Sequence, residues 1–414
     1  MTWGRGERGA GLRRAALVVA ALALWCAVGC GPEGAREAEG GPTRVLLWHA
    51  YRAEEADALM KAIEAFNGSR SDIRVEAQQI PYQAFADKIT TAIPRDNGPD
   101  LFIFAHDRIG SWADADVIEP ISIWATEEML GQYIESTVRS LVYKRSIYGL
   151  PLTFKSVALF YNKALVPVPP ATDEALIATA KALTDPSQKR YGLAYINTQL
   201  YFAAPFIHGF GGQTLDEEGV VHMDDPGTAR GLQFCQDLLH KHRVVPDDVD
   251  GAVVTSLFNQ GKAAMVINGP WLIGEIAPEI DWGVAPLPRV AATGRPMAPF
   301  FGSEAVLMSR RSRHKAETFE VMRYLAGAEG SRIRMELGGQ PAAHRGTWDV
   351  VKATEVQRSF KAQIEDAVGM PNLPSMRFVW GPADQAIARI VKKAADPAQE
   401  LKIAQERIEA AAER

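Results

Sequence analysis

Short apolar runs alternate with amphipathic stretches of helical period along this chain. Residues 44–48 (RVLLW) form the first apolar run and predict a strand. In 54–67, Ala56, Leu59, Met60, Ile63 and Phe66 recur at helical spacing, and Asn67-Gly68 ends the stretch. Residues 73–78 alternate apolar with polar, the period of a strand. Residues 82–93 predict a helix stopped by Pro94, and 101–104 (LFIF) a third, buried strand. Strands alternating with helices of this length predict an α/β architecture with a parallel sheet covered on both faces. Ligands of such sheets bind beyond the carboxyl ends of the strands, where Trp48 with 49–52 and Phe104 with Asp107 and Arg108 lie.

Residues 149–162 (GLPLTFKSVALFYN) read as one strand buried on both faces, with Lys155 its single charge. An unpaired buried ammonium costs on the order of several kcal/mol. Lys155 therefore needs a structural partner or a task in a cleft. After the proline cluster at 167–170, helices at 174–183, 200–210, 227–240 and 251–259 intersperse with strands at 191–196, 263–268 and 282–287. That makes 157–299 a second α/β unit. A strand at 306–308 follows, with helices at 315–326, 330–337, 357–367, 383–393 and 397–412 and an irregular stretch at 370–380. The glycines of 209–212 lack the spacing and the Lys-Ser/Thr of a phosphate-binding loop.

The amino terminus changes the picture of where the protein works. Arg5, Arg8, Arg13 and Arg14 stand against Glu7, and the apolar run at 15–25 falls short of the about 20 residues that cross a membrane. This is the pattern of an export signal. Ala27-Val28-Gly29-Cys30 resembles a bacterial lipobox, which implies lipid on Cys30 after removal of 1–29; Ala27 stands where Leu is commoner. An ordinary signal peptide cut nearby is the alternative. A polar tether, 30–43, follows. Removing 1–29 takes four arginines and one glutamate, so 385 residues remain and the formal charge goes from −5 to −8. That length suggests two domains, and an exported acidic chain lacks the basic footprint of nucleic-acid binding. Cys235 is then the remaining thiol besides Cys30, on an amphipathic helix with buried packing as its expected role. No Cys/His spacing suits a metal, and no cofactor is expected.

Five stretches together resemble the periplasmic maltose/maltodextrin-binding proteins of ABC importers. They are 98–110 (GPDLFIFAHDRIG), 152–170 ending in YNKALVPVPP, 201–212 (YFAAPFIHGFGG), 258–271 (FNQGKAAMVINGPW) and 370–380 (MPNLPSMRFVW). The resemblance implies a two-lobe periplasmic-binding-protein fold of type II, each lobe a sheet flanked by helices, with several hinge crossings. It places crossings near 154–157, 300–303 and 350–356. The lobes would be 44–153 with 303–352, and 157–299 with 356–414. It also implies a monomer in the periplasm, anchored through Cys30, that delivers an oligosaccharide to permease subunits served by a cytoplasmic ATPase.

The chemistry of such a site follows from the ligand. Sugar C–H faces stack on aromatic rings, each contributing roughly 0.5–1.5 kcal/mol beyond area burial, and hydroxyls pair with charged planar groups. The resemblance places Phe104, Tyr201, Trp271 and Trp380 in the cleft as rings and Asp107 and Arg108 as polar partners; His106 and Asp100 are read as structural. Lys155 stands where the family commonly has a glutamate, Gln199 where it has an acid, Tyr51-Arg52-Ala53 where it has an Asp-Lys pair, and Asp384 near an expected base. The rings are kept while the charged set changes, so Lys155, Gln199 and Arg52 join the expected ligand-binding residues and the identity of the sugar is left open. An exported glycoside hydrolase would need two facing carboxylates, and the sequence offers only Asp107, so a non-enzymatic binder is expected. A sugar sensor for a membrane receptor would use the same cleft.

Overall fold

The computed structural model describes residues 41–216 and 219–412; the expected signal segment, Cys30 and most of the tether lie outside the described residues. The chain from Thr43 onward is one compact unit built on two main sheets. In the first, β1 (Thr43–His49) lies parallel to both β2 (Ile73–Gln79) and β3 (Leu101–Ala105). A small ribbon of β4 (Val142–Tyr143) and β5 (Ser146–Ile147) precedes β6 (Gly149–Lys155). The second sheet has the order β10-β7-β9-β8, from β7 (Ala158–Asn162), β8 (Tyr191–Ala194), β9 (Ala263–Asn268) and β10 (Trp282–Ala285).

The long apolar stretch at 149–162 is thus two strands rather than one. β6 belongs to the first sheet and β7 to the second, with Ser156 and Val157 between them. Apolar patterning could not reveal the break, because both halves are buried on both faces. β11 (Phe300–Met308) is also longer than the strand expected at 306–308. It runs antiparallel to β3 and β6 and parallel to β12 (Val368–Gly369), so the first sheet is mixed and not purely parallel. The register between β11 and β6 shifts between Glu304 and Ala305, opposite Pro151, which has no N–H for the ladder.

Each sheet has its own core. Val45, Leu47, Phe102, Leu150 and Leu307 belong to the first; the two faces of the second bury Leu159, Leu193 and Ile267 on one side and Phe160, Val266 and Phe258 on the other. Phe360, on the helix Glu355–Glu365, packs edge-on against Phe160 at 5.9 Å. The stretch expected to be irregular at 370–380 is helical from Met376, and the helix Met376–Lys393 tolerates Pro382 in its interior. Cys235 is buried, as its helix pattern predicts.

Three charges fasten the two layers where β6 ends. Lys155 Nζ lies 3.2 Å from Glu55 Oε1, on the helix Ala53–Ser69, and 3.2 Å from Glu304 Oε2, on β11. It also sits 5.1 Å from the centre of the Tyr51 ring. Burial opposes the ammonium, yet the two carboxylates outweigh it and hold the Lys155 pKa above its ordinary value. Burial pushes the Glu304 carboxyl up, against the pull of Lys155. Removing the cation would leave two buried carboxylates facing each other, a change that costs about 3–5 kcal/mol. Lys155→Met is therefore expected to lower unfolding stability by about that amount at pH 8. The loss should shrink toward pH 5, because a carboxyl whose folded pKa is raised favours the folded state below that pKa. Chemical denaturation at both pH values reads this directly; a loss independent of pH would contradict the assignment.

Candidate functional site

The site begins where β3 ends. His106–Arg108 form one tight turn there. His106 is fully buried; its Nε2–H donates to the Met370 carbonyl at 2.6 Å while Nδ1 accepts the Ser303 N–H at 3.1 Å. That fixes the tautomer and makes His106 a fastening between β3, β11 and the 370s. Asp100 is likewise committed, accepting the Leu46 N–H at 2.9 Å and the Ser312 hydroxyl at 2.8 Å. Asp107, next to His106, is free of such duties. Burial pushes its carboxyl up to about 6, with the nearby Arg108 pulling the other way. Arg108 Nε stands 3.6 Å from Asp107 Oδ2, and that nitrogen is buried without a hydrogen-bond partner.

Phe104 is placed differently from its expected stacking role. It is only 5% exposed and packs against Phe85 at 5.2 Å and Trp112 at 5.3 Å. Tyr82 lies over it at 5.5 Å and only 13° from parallel, with 58% of its own surface exposed. Tyr82 is thus the exposed face of this stack, and Phe104 is its support. Despite that exposure the Tyr82 hydroxyl lies among many atoms: crowding raises its pKa, with the charges of Asp107 and Glu304 adding to the shift.

The second sheet supplies the facing surface. Tyr201, at the start of the helix Leu200–Gly209, lies 6.2 Å from Trp271 and 6.5 Å from Phe300; Phe300 lies 6.3 Å from Trp380. Three of the expected rings are therefore joined in one chain by a fourth, Phe300, that sequence reasoning used only to mark a crossing: Trp271 meets Tyr201, and Tyr201 and Trp380 meet Phe300. Trp271 sits in the turn Pro270–Glu275 after β9 and folds back on Gly269, where a Cβ would lie 2.1 Å from the indole. Only glycine permits that approach. Burial raises the Tyr201 pKa, and Tyr82, Asp107 and Glu304 raise it further, so groups of both sheets converge on this hydroxyl.

Of the remaining expected residues, Lys155 is held by Glu55 and Glu304 as described above. Gln199 is exposed just before the Tyr201 helix and its side chain caps nothing. The cap comes from Asp384, whose Oδ1 accepts the Leu200 N–H at 2.8 Å; burial raises that carboxyl to about 6, opposed by this bond. Arg52 is largely exposed and pairs with Glu275 at 3.1 Å, linking the β1 loop to the turn that carries Trp271. Arg52, Glu55, Trp271 and Glu275 line a pocket of about 240 Å³.

Sequence reasoning missed Glu55, Glu304, Tyr51, Tyr82 and Phe300. Glu304 could have been found, since it is the one charge in the apolar run at 299–308, the same signal that singled out Lys155. The sequence offered a single acid near the cleft; the structure adds two, Glu55 and Glu304, which share the one ammonium of Lys155. The assembled groups suit a neutral polyhydroxyl ligand: rings for its C–H faces, Asp107 as acceptor and Arg108 as donor.

A family model of bacterial extracellular solute-binding proteins matches residues 52–332. A maltotriose-binding protein of Pyrococcus abyssi is 31% identical over 383 residues, 90% of this chain and 83% of that one. A galactooligosaccharide-binding protein of Bacillus subtilis is 25% identical over 406 residues, 93% of each chain. The structure matches a Thermus thermophilus maltotriose binding protein bound with maltotriose at a TM-score of 0.81 and 27% identity, covering 89% of this chain and 99% of that one. Matches of this extent establish the two-lobe type II fold and the family together: this chain belongs to the bacterial extracellular solute-binding proteins.

Proposed function

We propose that the protein captures a malto-oligosaccharide or a related neutral oligosaccharide and delivers it to the permease of an ABC importer, making and breaking no bond. The observation that carries this reading is the ring set of Tyr201, Trp271, Phe300 and Trp380 facing Tyr82, with Asp107 and Arg108 beside it. The relatives support it: they are named for maltotriose, galactooligosaccharide and, in Streptococcus pneumoniae, maltooligosaccharide transport by a lipoprotein. The family works outside the cytoplasm. Among the described residues no helix is long and apolar enough to cross a membrane.

The lobes we assign are 44–153 with 303–352, and 157–299 with the helices after 356. Ligand binding would close them about Ser156-Val157, the start of β11 and the segment after Val351, shifting a pre-existing equilibrium. Attachment to the membrane would run through lipid on Cys30, with the protein acting as a monomer in the periplasm. Cys30→Ser should then move the protein from the membrane fraction to the soluble one; continued membrane association would rule out this anchor.

Trp271→Ala and Tyr201→Ala should each weaken maltotriose binding by about 1–2 kcal/mol, roughly five- to thirty-fold, with little change in melting temperature. Calorimetric titration tests this, and undiminished affinity in both variants would remove the ring set from the ligand site.

Asp107 makes binding depend on pH. With its carboxyl near 6, the acceptor is ionised above pH 7 and mostly protonated at pH 5. Affinity should be flat above pH 7 and fall about tenfold by pH 5. Asp107→Asn should bind more weakly at neutral pH and lose that slope. The Asp384 carboxyl titrates over the same range but is occupied by the Leu200 N–H. A slope that persists in Asp107→Asn would therefore reassign the effect to Asp384.

A further inference from the structure

A second cavity, of about 510 Å³, lies outside the ring set and shares one wall with it. That wall is Phe300. Its ring touches Tyr201 and Trp380, and meets His208 edge-on at 5.1 Å, within the cavity lining. The volume falls within the about 300–1,000 Å³ typical of small-molecule sites.

The cavity offers two polar groups with unused capacity. His208 is 7% exposed, and its Nδ1–H donates to the Ala298 carbonyl at 2.6 Å, which leaves Nε2 as an acceptor without a partner among the described residues. Burial lowers the His208 pKa to about 4, so the ring is neutral and that lone pair is available near pH 7. Arg295 lines the same cavity and has no carboxylate partner among the described residues. Phe300, Pro296 and Pro371 supply apolar surface between them.

The two sides of the cavity belong to different parts of the fold. His208, Gly212 and Arg295 stand on the second sheet's side. Val368, Gly369 and Pro371 lie in a segment tied to the first: Met370 N–H donates to Phe301, His106 to Met370, Gly110 N–H to Asn372, and the Asn372 amide to Ser140 and Val142. A molecule seated there would touch both the second sheet's side and the segment 368–371, which follows the second lobe's helix Glu355–Glu365 but is bonded to β11 of the first sheet.

We infer that this cavity is a second ligand site, for a small polyol carrying one carboxylate or phosphate, and that its occupancy is coupled to oligosaccharide binding through the crossing. The oxyanion would pair with Arg295, a hydroxyl would donate to His208 Nε2, and the carbon face would lie on Phe300. The coupling half rests on the oligosaccharide function proposed above; the site itself does not.

The test is calorimetric titration of the full chain with gluconate and with glycerol phosphate, each with and without saturating maltotriose. At least one probe should bind with a Kd below about 1 mM, and Arg295→Ala should weaken it about tenfold or more while leaving maltotriose affinity without probe unchanged. His208→Phe, which keeps the ring against Phe300, should weaken it as well. Which probe binds distinguishes carboxylate from phosphate. The factor by which the probe changes maltotriose affinity must equal the factor by which maltotriose changes that of the probe. Failure of both probes to bind at about 10 mM, or undiminished binding by Arg295→Ala, overturns the site. A maltotriose affinity indifferent to the bound probe overturns the coupling. Probe binding that is lost in Arg295→Ala in a protein that ignores both maltotriose and a galactooligosaccharide keeps the site and counts against the oligosaccharide function instead.

Discussion

The antiparallel ladder between β6 and β11 is the constraint on which the rest of the structure depends. It runs from Gly149 opposite Leu307 to Lys155 opposite Gly302, and both strands leave it at the same end. There β6 continues into β7 of the second sheet, while β11 begins with Phe300 inside the second core. Two chain segments are thereby held side by side where they cross between cores. Ser156 reinforces the crossing by donating its hydroxyl to the Phe300 carbonyl at 3.0 Å. Backbone pairing within the first sheet thus holds both crossing segments in one register up to the point where they leave it.

Charge and rings are distributed around that joint in a physically consistent way. The ammonium of Lys155 is buried at the end of the ladder, and its two carboxylates come from a helix and from β11, so one ion cluster ties three elements. Buried ion pairs are weak sources of net stability but costly to break. Their effect here is to hold the end of β6 in one position. The rings proposed to meet ligand are Tyr82, supported by Phe104, on one side, and on the other Trp271 against Tyr201, with Tyr201 and Trp380 against Phe300. Phe300 begins β11 and packs in the second core, so this ring set adjoins the strand that crosses between the two cores.

The polar groups divide between those with structural employment and those left available. His106 and Asp384 spend their hydrogen bonds on backbone groups, and Asp100 spends its own on the Leu46 N–H and the Ser312 hydroxyl. Asp107 and Arg108 do not, although they adjoin His106 in the same short turn. Neighbours in sequence thus fall on opposite sides of the boundary between scaffold and site.

Several features were legible in the sequence alone because they are local. Apolar periodicity located most strands and helices, and the oddity of one charge in an apolar run singled out Lys155. Strand ends pointed to Asp107 and Arg108 as candidates, and the resemblance, not the local pattern, pointed to Trp271. The tertiary structure decided what is not local. A continuous apolar stretch became two strands because its halves are buried in different cores, which no period-2 or period-3.6 pattern distinguishes. Phe104 became a support because Tyr82, remote in pattern, covers it. Glu55 and Glu304 became the partners of Lys155 from 100 residues upstream on one side and from the paired strand β11 on the other. Pairings across such separations are set by how sheets pack, and packing is a property of the whole chain rather than of any window within it.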